Sequence, residues 1–188
     1  MIKLPNECFS EIFYNLRADF KSLFSCLFVN RQWCRIVVPI LWSEPTEYIN
    51  NKKLIEMYLL ALNPEEQTLL IPFKIILPNH SKLLFEYTSY TKSVGFDLTS
   101  GVIKWLNGEG YKINSDDIDE RNVDKLISAV RCSLITMFIR TSKKLKYLTI
   151  HGNINKIIFK NLYTNTTLLD LSLNFDHFNS EEIKSSWF

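Results

Sequence analysis

Seven phenylalanine and tryptophan side chains, Phe9, Phe13, Phe20, Phe24, Phe28, Trp33 and Trp42, fall within the first 45 residues, on three stretches too short to bury them among themselves. Each stretch carries its own helix-start signal. Pro5 fits the first position of a helix, where its fixed φ helps and its missing N–H is not needed, and Glu7 follows at the positive end of the dipole. Asp19 is an N-cap ahead of FKSLFSCLFV. Asn30 caps RQWCRIVVPILW, which Pro39 bends or ends. In the first helix, Cys8, Phe9, Ile12, Phe13 and Leu16 follow an i, i+1, i+4, i+5, i+8 pattern, which covers two adjacent stripes. One stripe serves the bundle's own core, and the other calls for a partner.

Leu4-Pro5, Cys8-Phe9, Ile12-Phe13, Leu16, Asp19-Phe20, Leu23, Cys26, Val29, Arg31, Trp33 and Leu41-Trp42 stand in the order and spacing of an F-box, which residues 1–45 resemble as a complete unit. The departures are Cys8, Phe9 and Phe20 where the family often has leucine, and Asn30 where it often has cysteine. The resemblance implies docking on the Skp adaptor of a cullin-RING ubiquitin ligase. It assigns that contact to Leu4, Pro5, Cys8, Phe9, Ile12, Phe13, Leu16, Leu23 and Trp33.

Bulk properties narrow the alternatives. At 188 residues and 46% hydrophobic content the chain can bury one continuous core or two small ones. Its 22 basic and 20 acidic residues leave a formal charge of +2, with no general electrostatic draw toward nucleic acid or anionic membrane. Cys8, Cys26, Cys34 and Cys132 form no C-x-x-C pair and lie far from His80, His151 and His177, so they read as reduced, partly buried thiols and not as zinc ligands. The most apolar segment, SLITMFI at 133–139, is too short to span a bilayer, which takes roughly 20 residues. With no secretory leader recognised, the sequons at Asn79 and Asn165 read as chance, and a soluble cytoplasmic or nuclear protein is expected.

Residues 46–141 read as a mixed, mainly helical connector. An amphipathic helix carries Leu54, Met57, Tyr58, Leu59 and Leu62 and ends near Asn63-Pro64. Val94, Phe96 and Leu98 alternate as in a short strand, and GVIKWL at 101–106 reads as a turn or two of helix. Asp116, Asp117, Asp119 and Glu120 lack the spacing and glycine of a calcium loop and read as the charged start of a helix over 118–141. Val123, Leu126, Ile127, Val130, Leu134, Met137 and Phe138 would form its one apolar face.

In residues 142–188, Leu145, Leu148, Ile150 and Asn153 stand in the L-x-x-L-x-L-x-x-N arrangement of a leucine-rich repeat, and Leu168, Leu171 and Leu173 repeat it 23 residues later. Two parallel strands are expected, with Leu148, Ile150, Leu171 and Leu173 pointing inward and Ile157, Ile158, Phe159 and Leu162 filling the returning side. Tyr147, Thr149, His151, Asp170, Ser172 and Asn174 would then face outward as a substrate surface or an ordinary solvated sheet face. The array ends on NSEEIKSSWF, with Trp187 and Phe188 exposed and no polar capping repeat, so it reads either as a truncated relative of longer repeat proteins or as a fragment whose second repeat stays frayed.

The fold class expected is therefore α+β: a three-helix F-box bundle, a helical connector and the start of a leucine-rich-repeat solenoid. The function expected is a non-catalytic substrate receptor of an SCF-type ligase, without cofactor or metal, partnered by the Skp adaptor, by cullin and RING through it, and by a protein substrate. The alternative is a ligase-independent interaction scaffold. No G-x-S-x-G elbow, P-loop or Rossmann fingerprint argues for an enzyme, and the lysines at 143–146 read as solvated charge.

Overall fold

The computed structural model describes residues 4–46, 52–77, 86–95, 98–111, 120–152 and 154–174. The chain opens with α1 (Asn6–Asn15), α2 (Phe20–Cys26) and α3 (Arg31–Leu41). Pro5 stands one place earlier than the sequence suggests, at the N-cap with extended backbone. Asp19 caps α2 by accepting from the Ser22 amide, and Asn30 caps α3 by accepting from the Trp33 amide. Pro39 does not end α3, which continues to Leu41. Phe13, Leu23 and Val37 form the buried centre of this bundle, with Trp33 edge-on to Phe13 at 4.9 Å between ring centroids.

The next helices are α4 (Lys52–Leu59) and α5 (Pro64–Gln67), and the latter starts in a reciprocal capping box between Asn63 and Glu66. Single 3₁₀ turns follow at Ile71–Phe73 and Tyr87–Tyr90. Strand β1 (Ser93–Val94) is shorter than its alternation suggests, because Leu98 is already the first residue of α6 (Leu98–Gly108). Phe96 lies outside the described residues.

Then come α7 (Glu120–Thr141), β2 (Tyr147–His151), α8 (Lys156–Thr164) and β3 (Asp170–Asn174). The amphipathic reading of α7 needs correction: Val130 and every residue from Cys132 to Ile139 are buried, so this stretch is covered all round. Its contacts with α5, α6 and α8 explain why. The hydroxyls it carries inside are satisfied by carbonyls, Ser133 donating to Glu66 at 2.9 Å and Thr136 to Cys132 at 2.8 Å. One cluster of buried residues runs from Ile55 on α4 to Ile158 on α8, joining α4, α6, α7, the sheet and α8 in a single core.

The sheet is parallel throughout, in the order β1-β2-β3. Between β2 and β3 each residue faces the one 23 positions later, Tyr147 opposite Asp170 and His151 opposite Asn174. One rung recurs at the mouth of every strand. The Ser43 carbonyl accepts from the Lys92 and Ser93 amides at 2.7 and 3.1 Å, Lys92 from Lys146 and Tyr147 at 2.8 and 3.1 Å, and Lys146 from Leu169 and Asp170 at 2.9 Å each. The residue that follows the N-terminal bundle thus supplies the first acceptor of the ladder.

Strands β2 and β3 are not packed alike. Leu145, Leu148, Ile150 and Ile158 are buried, whereas Leu171 and Leu173, expected inside, are 39% and 37% exposed. Phe159 is also exposed instead of filling the returning side. Asn153, the acidic residues at 116, 117 and 119, the Asn79 sequon, His80, His177, Trp187 and Phe188 lie outside the described residues.

Candidate interaction surfaces

Among the described residues the helices of the N-terminal bundle leave an apolar surface uncovered. Leu4, Ile12, Phe24 and Val29 are each roughly half exposed, and Phe28 is 76% exposed. Phe20, Phe24 and Phe28 recur every fourth residue, which places them along one side of α2 and its last turn. Phe20 and Phe24 stack at 5.9 Å, and Phe24 meets Phe28 edge-on at 5.4 Å. Contiguous exposed apolar side chains of this kind make a candidate interaction surface.

Trp42 at the end of α3 packs on Tyr87 at 4.7 Å and meets Tyr58 edge-on at 6.1 Å, which joins the bundle to the body. An apolar cavity of about 450 Å³ lies at this junction, with Phe20, Phe24, Phe28, Trp42, Tyr58 and Tyr87 in its walls. Tyr58 is fully buried, and burial pushes its phenol well above the usual range. At the other end of α1, Arg17 lies over the Tyr14 ring and its Nη1 donates to the Tyr14 hydroxyl.

The nine residues expected at the adaptor contact divide. Leu4, Pro5, Cys8 and Ile12 are exposed, and Phe9, Leu16 and Trp33 are half-buried. Phe13 and Leu23 are each 1% exposed, so they hold the helices together and cannot be an outer contact. The sequence list omitted Tyr14, Phe20, Phe24, Phe28 and Val29, all exposed here. The four-residue spacing of the three phenylalanines was the signal for most of that group. Cys8 also departs from its expected partial burial, while Cys26 and Cys34 are intermediate and Cys132 is buried.

The second surface is the outward face of the sheet. Tyr147, Thr149 and His151 alternate along β2 with the buried Leu148 and Ile150, and the register sets them beside Asp170, Ser172 and Asn174. Tyr147 is half exposed, and the His151 Nε2 lies 3.3 Å from the Asn174 amide nitrogen. The six residues expected on this face are therefore brought together. They offer hydroxyl, amide, imidazole and carboxylate groups. That suits recognition by hydrogen bonding.

Residues 1–47 match the F-box-like family model. An F-box-like domain therefore opens the chain, in the helical bundle that carries the first surface. F-box domains generally bind Skp-type adaptors and belong to non-catalytic subunits. No curated protein matches the chain. No solved structure matches it either. Among the described residues no helix is long and apolar enough to cross a membrane.

Proposed function

We propose that the chain is a substrate receptor of an SCF-type cullin-RING ubiquitin ligase. The observation that carries this reading is an F-box-like domain whose apolar side chains stand exposed on the N-terminal helices. In this reading Leu4, Pro5, Cys8 and Ile12, with the edges of Phe9, Leu16 and Trp33, meet the Skp adaptor, and the phenylalanines of α2 extend the contact. Burying such anchors stabilises a complex by about 25 cal/mol per Å² of apolar area, although a few well-packed side chains set its strength. The receptor does no chemistry; it raises the local concentration of a bound substrate near the ubiquitin-loaded enzyme.

The substrate surface in this proposal is Tyr147, Thr149, His151, Asp170, Ser172 and Asn174. Parallel pairing at a 23-residue offset supports reading residues 142–188 as leucine-rich-repeat-like, after an F-box at 1–45 and a connector at 46–141. The shared rung geometry at Ser43, Lys92 and Lys146 extends the same logic back to the F-box.

The test is recovery of purified Skp adaptor and cullin on the tagged full chain, beside a Leu4→Ala/Pro5→Ala/Ile12→Ala variant shown to be folded by circular dichroism. The wild type should retain both and the variant neither. Recovery of adaptor without cullin would favour a ligase-independent scaffold, and recovery of neither by the wild type would sink the receptor reading.

A further inference from the structure

The cavity between α6, α7 and the turn into α8 holds an arginine that forms no ion pair among the described residues. Arg131 projects from α7, and its Nε is sealed from solvent with no hydrogen-bond partner. The ion pairs formed among the described residues use Lys52, Arg140 and Lys160, not Arg131. Only Nε is sealed; Arg131 as a whole is partly buried, and its Nη atoms, with no acceptor among the described residues, stay open to an anion in the cavity.

The chain is shaped around this side chain. Gly152, just after β2, has a φ of +73°, and a Cβ there would stand 2.8 Å from the Arg131 Nη2. Glycine at 152 both adopts the left-handed backbone and leaves the guanidinium its place.

Arg131 lines a cavity of about 770 Å³ between α6, α7 and the turn into α8. That volume lies within the span of about 300–1,000 Å³ usual for small-molecule sites, and it exceeds what an inorganic ion would fill. Lys125, Ser128 and Thr99 add donors to the lining, while Phe73 and Ile103 add apolar wall. Asp124, exposed, is the one acid among the described residues of that lining. Asn155, the N-cap of α8, lines it too, so the positive end of that helix dipole adds to the field.

We propose that this cavity binds a small organic phosphate, with the phosphate on Arg131 and the apolar body against Phe73 and Ile103. The guanidinium fork matches two phosphate oxygens at once, and Lys125 with the two hydroxyls supplies more donors than the two oxygens of a carboxylate require. The site is separate from both interaction surfaces, and its test does not depend on the adaptor.

Calorimetric titration of the full chain with phenyl phosphate, inorganic phosphate and phenylacetate checks the assignment. Phenyl phosphate should bind more tightly than either of the others, and Arg131→Gln should weaken it about tenfold or more, the usual worth of a charged hydrogen bond. Ligand-free Arg131→Gln should melt no lower than the wild type, since it loses an unpaired charge and not an ion pair. If that variant does not fold, Arg131→Lys keeps the charge without the fork and should bind about threefold or more weakly. Undetectable binding of phenyl phosphate at ~10 mM to folded wild type, or equal affinity in a folded Arg131 variant, overturns the site. Phenylacetate binding as tightly as phenyl phosphate overturns the choice of phosphate.

Discussion

Arg140, at the end of α7, holds Glu66 with two hydrogen bonds, Nε to Oε1 at 2.7 Å and Nη2 to Oε2 at 2.9 Å, although the Glu66 side chain is 1% exposed. The same carboxylate accepts from the Asn63 amide at 2.8 Å, and Arg140 also donates to the Ala61 carbonyl at 2.9 Å. This one buried acid therefore joins the start of α5 to the central helix. Arg140→Met strands a carboxylate in the core. Breaking a buried pair costs about 3 kcal/mol or more, which lowers the melting temperature by roughly 6–12 °C in a protein of this size. Calorimetric melting of the two proteins side by side measures it, and an unchanged melting temperature would show that the pair contributes nothing net.

Leu148 and Leu171 pair in register on neighbouring parallel strands, yet they are 1% and 39% exposed. Leu148→Ala should cost about 2–5 kcal/mol, the range for opening a cavity in a core, and Leu171→Ala under about 1 kcal/mol. Urea titrations of both variants decide it. Equal losses would mean that the second strand is as well covered as the first.

Phe13 and Phe24 make a second contrasting pair, one at the bundle's centre and one 45% exposed on its surface. Phe13→Ala should destabilise the N-terminal helices by about 3–5 kcal/mol, while Phe24→Ala should leave melting nearly unchanged and weaken adaptor retention. Thermal melts followed by circular dichroism, run beside the adaptor pull-down, separate the two effects. A Phe24→Ala protein that melts like the wild type and retains adaptor equally well would remove α2 from the proposed contact.

Asp19 titrates below its ordinary value of 3.8, chiefly because the Ser22 hydroxyl donates to its carboxylate at 2.6 Å, helped by the Ser22 amide at 3.2 Å. A carboxyl whose folded pKa is depressed contributes stability that is complete above the unfolded value and lost as pH falls through the folded one. The start of α2 should therefore loosen below pH 3.8, and Asp19→Asn should remove that part of the acid dependence. The Ser22 amide shift, followed by NMR through an acid titration, reports it directly. A Ser22 shift that moves only above pH 3.8 would contradict the depressed value.

The sequence by itself determined the features that depend on neighbours along the chain. Asp19 and Asn30 were legible as caps because a cap is satisfied within three residues of itself. The 23-residue offset was legible because the same apolar spacing recurs in both stretches and the two strands pair at that offset, and the outward set from Tyr147 to Asn174 followed from strand alternation. Tertiary structure decided what depends on elements arriving from elsewhere. Leu98 entered a helix instead of a strand, Phe13 turned inward while Ile12 stayed out, and the stretch of α7 from Cys132 to Ile139 was buried on all sides. Ser43 became a rung of the sheet, and Glu66 met Arg140, 74 positions away. Burial and pairing are set by which surfaces meet, and local periodicity carries no record of a neighbour so far along the chain.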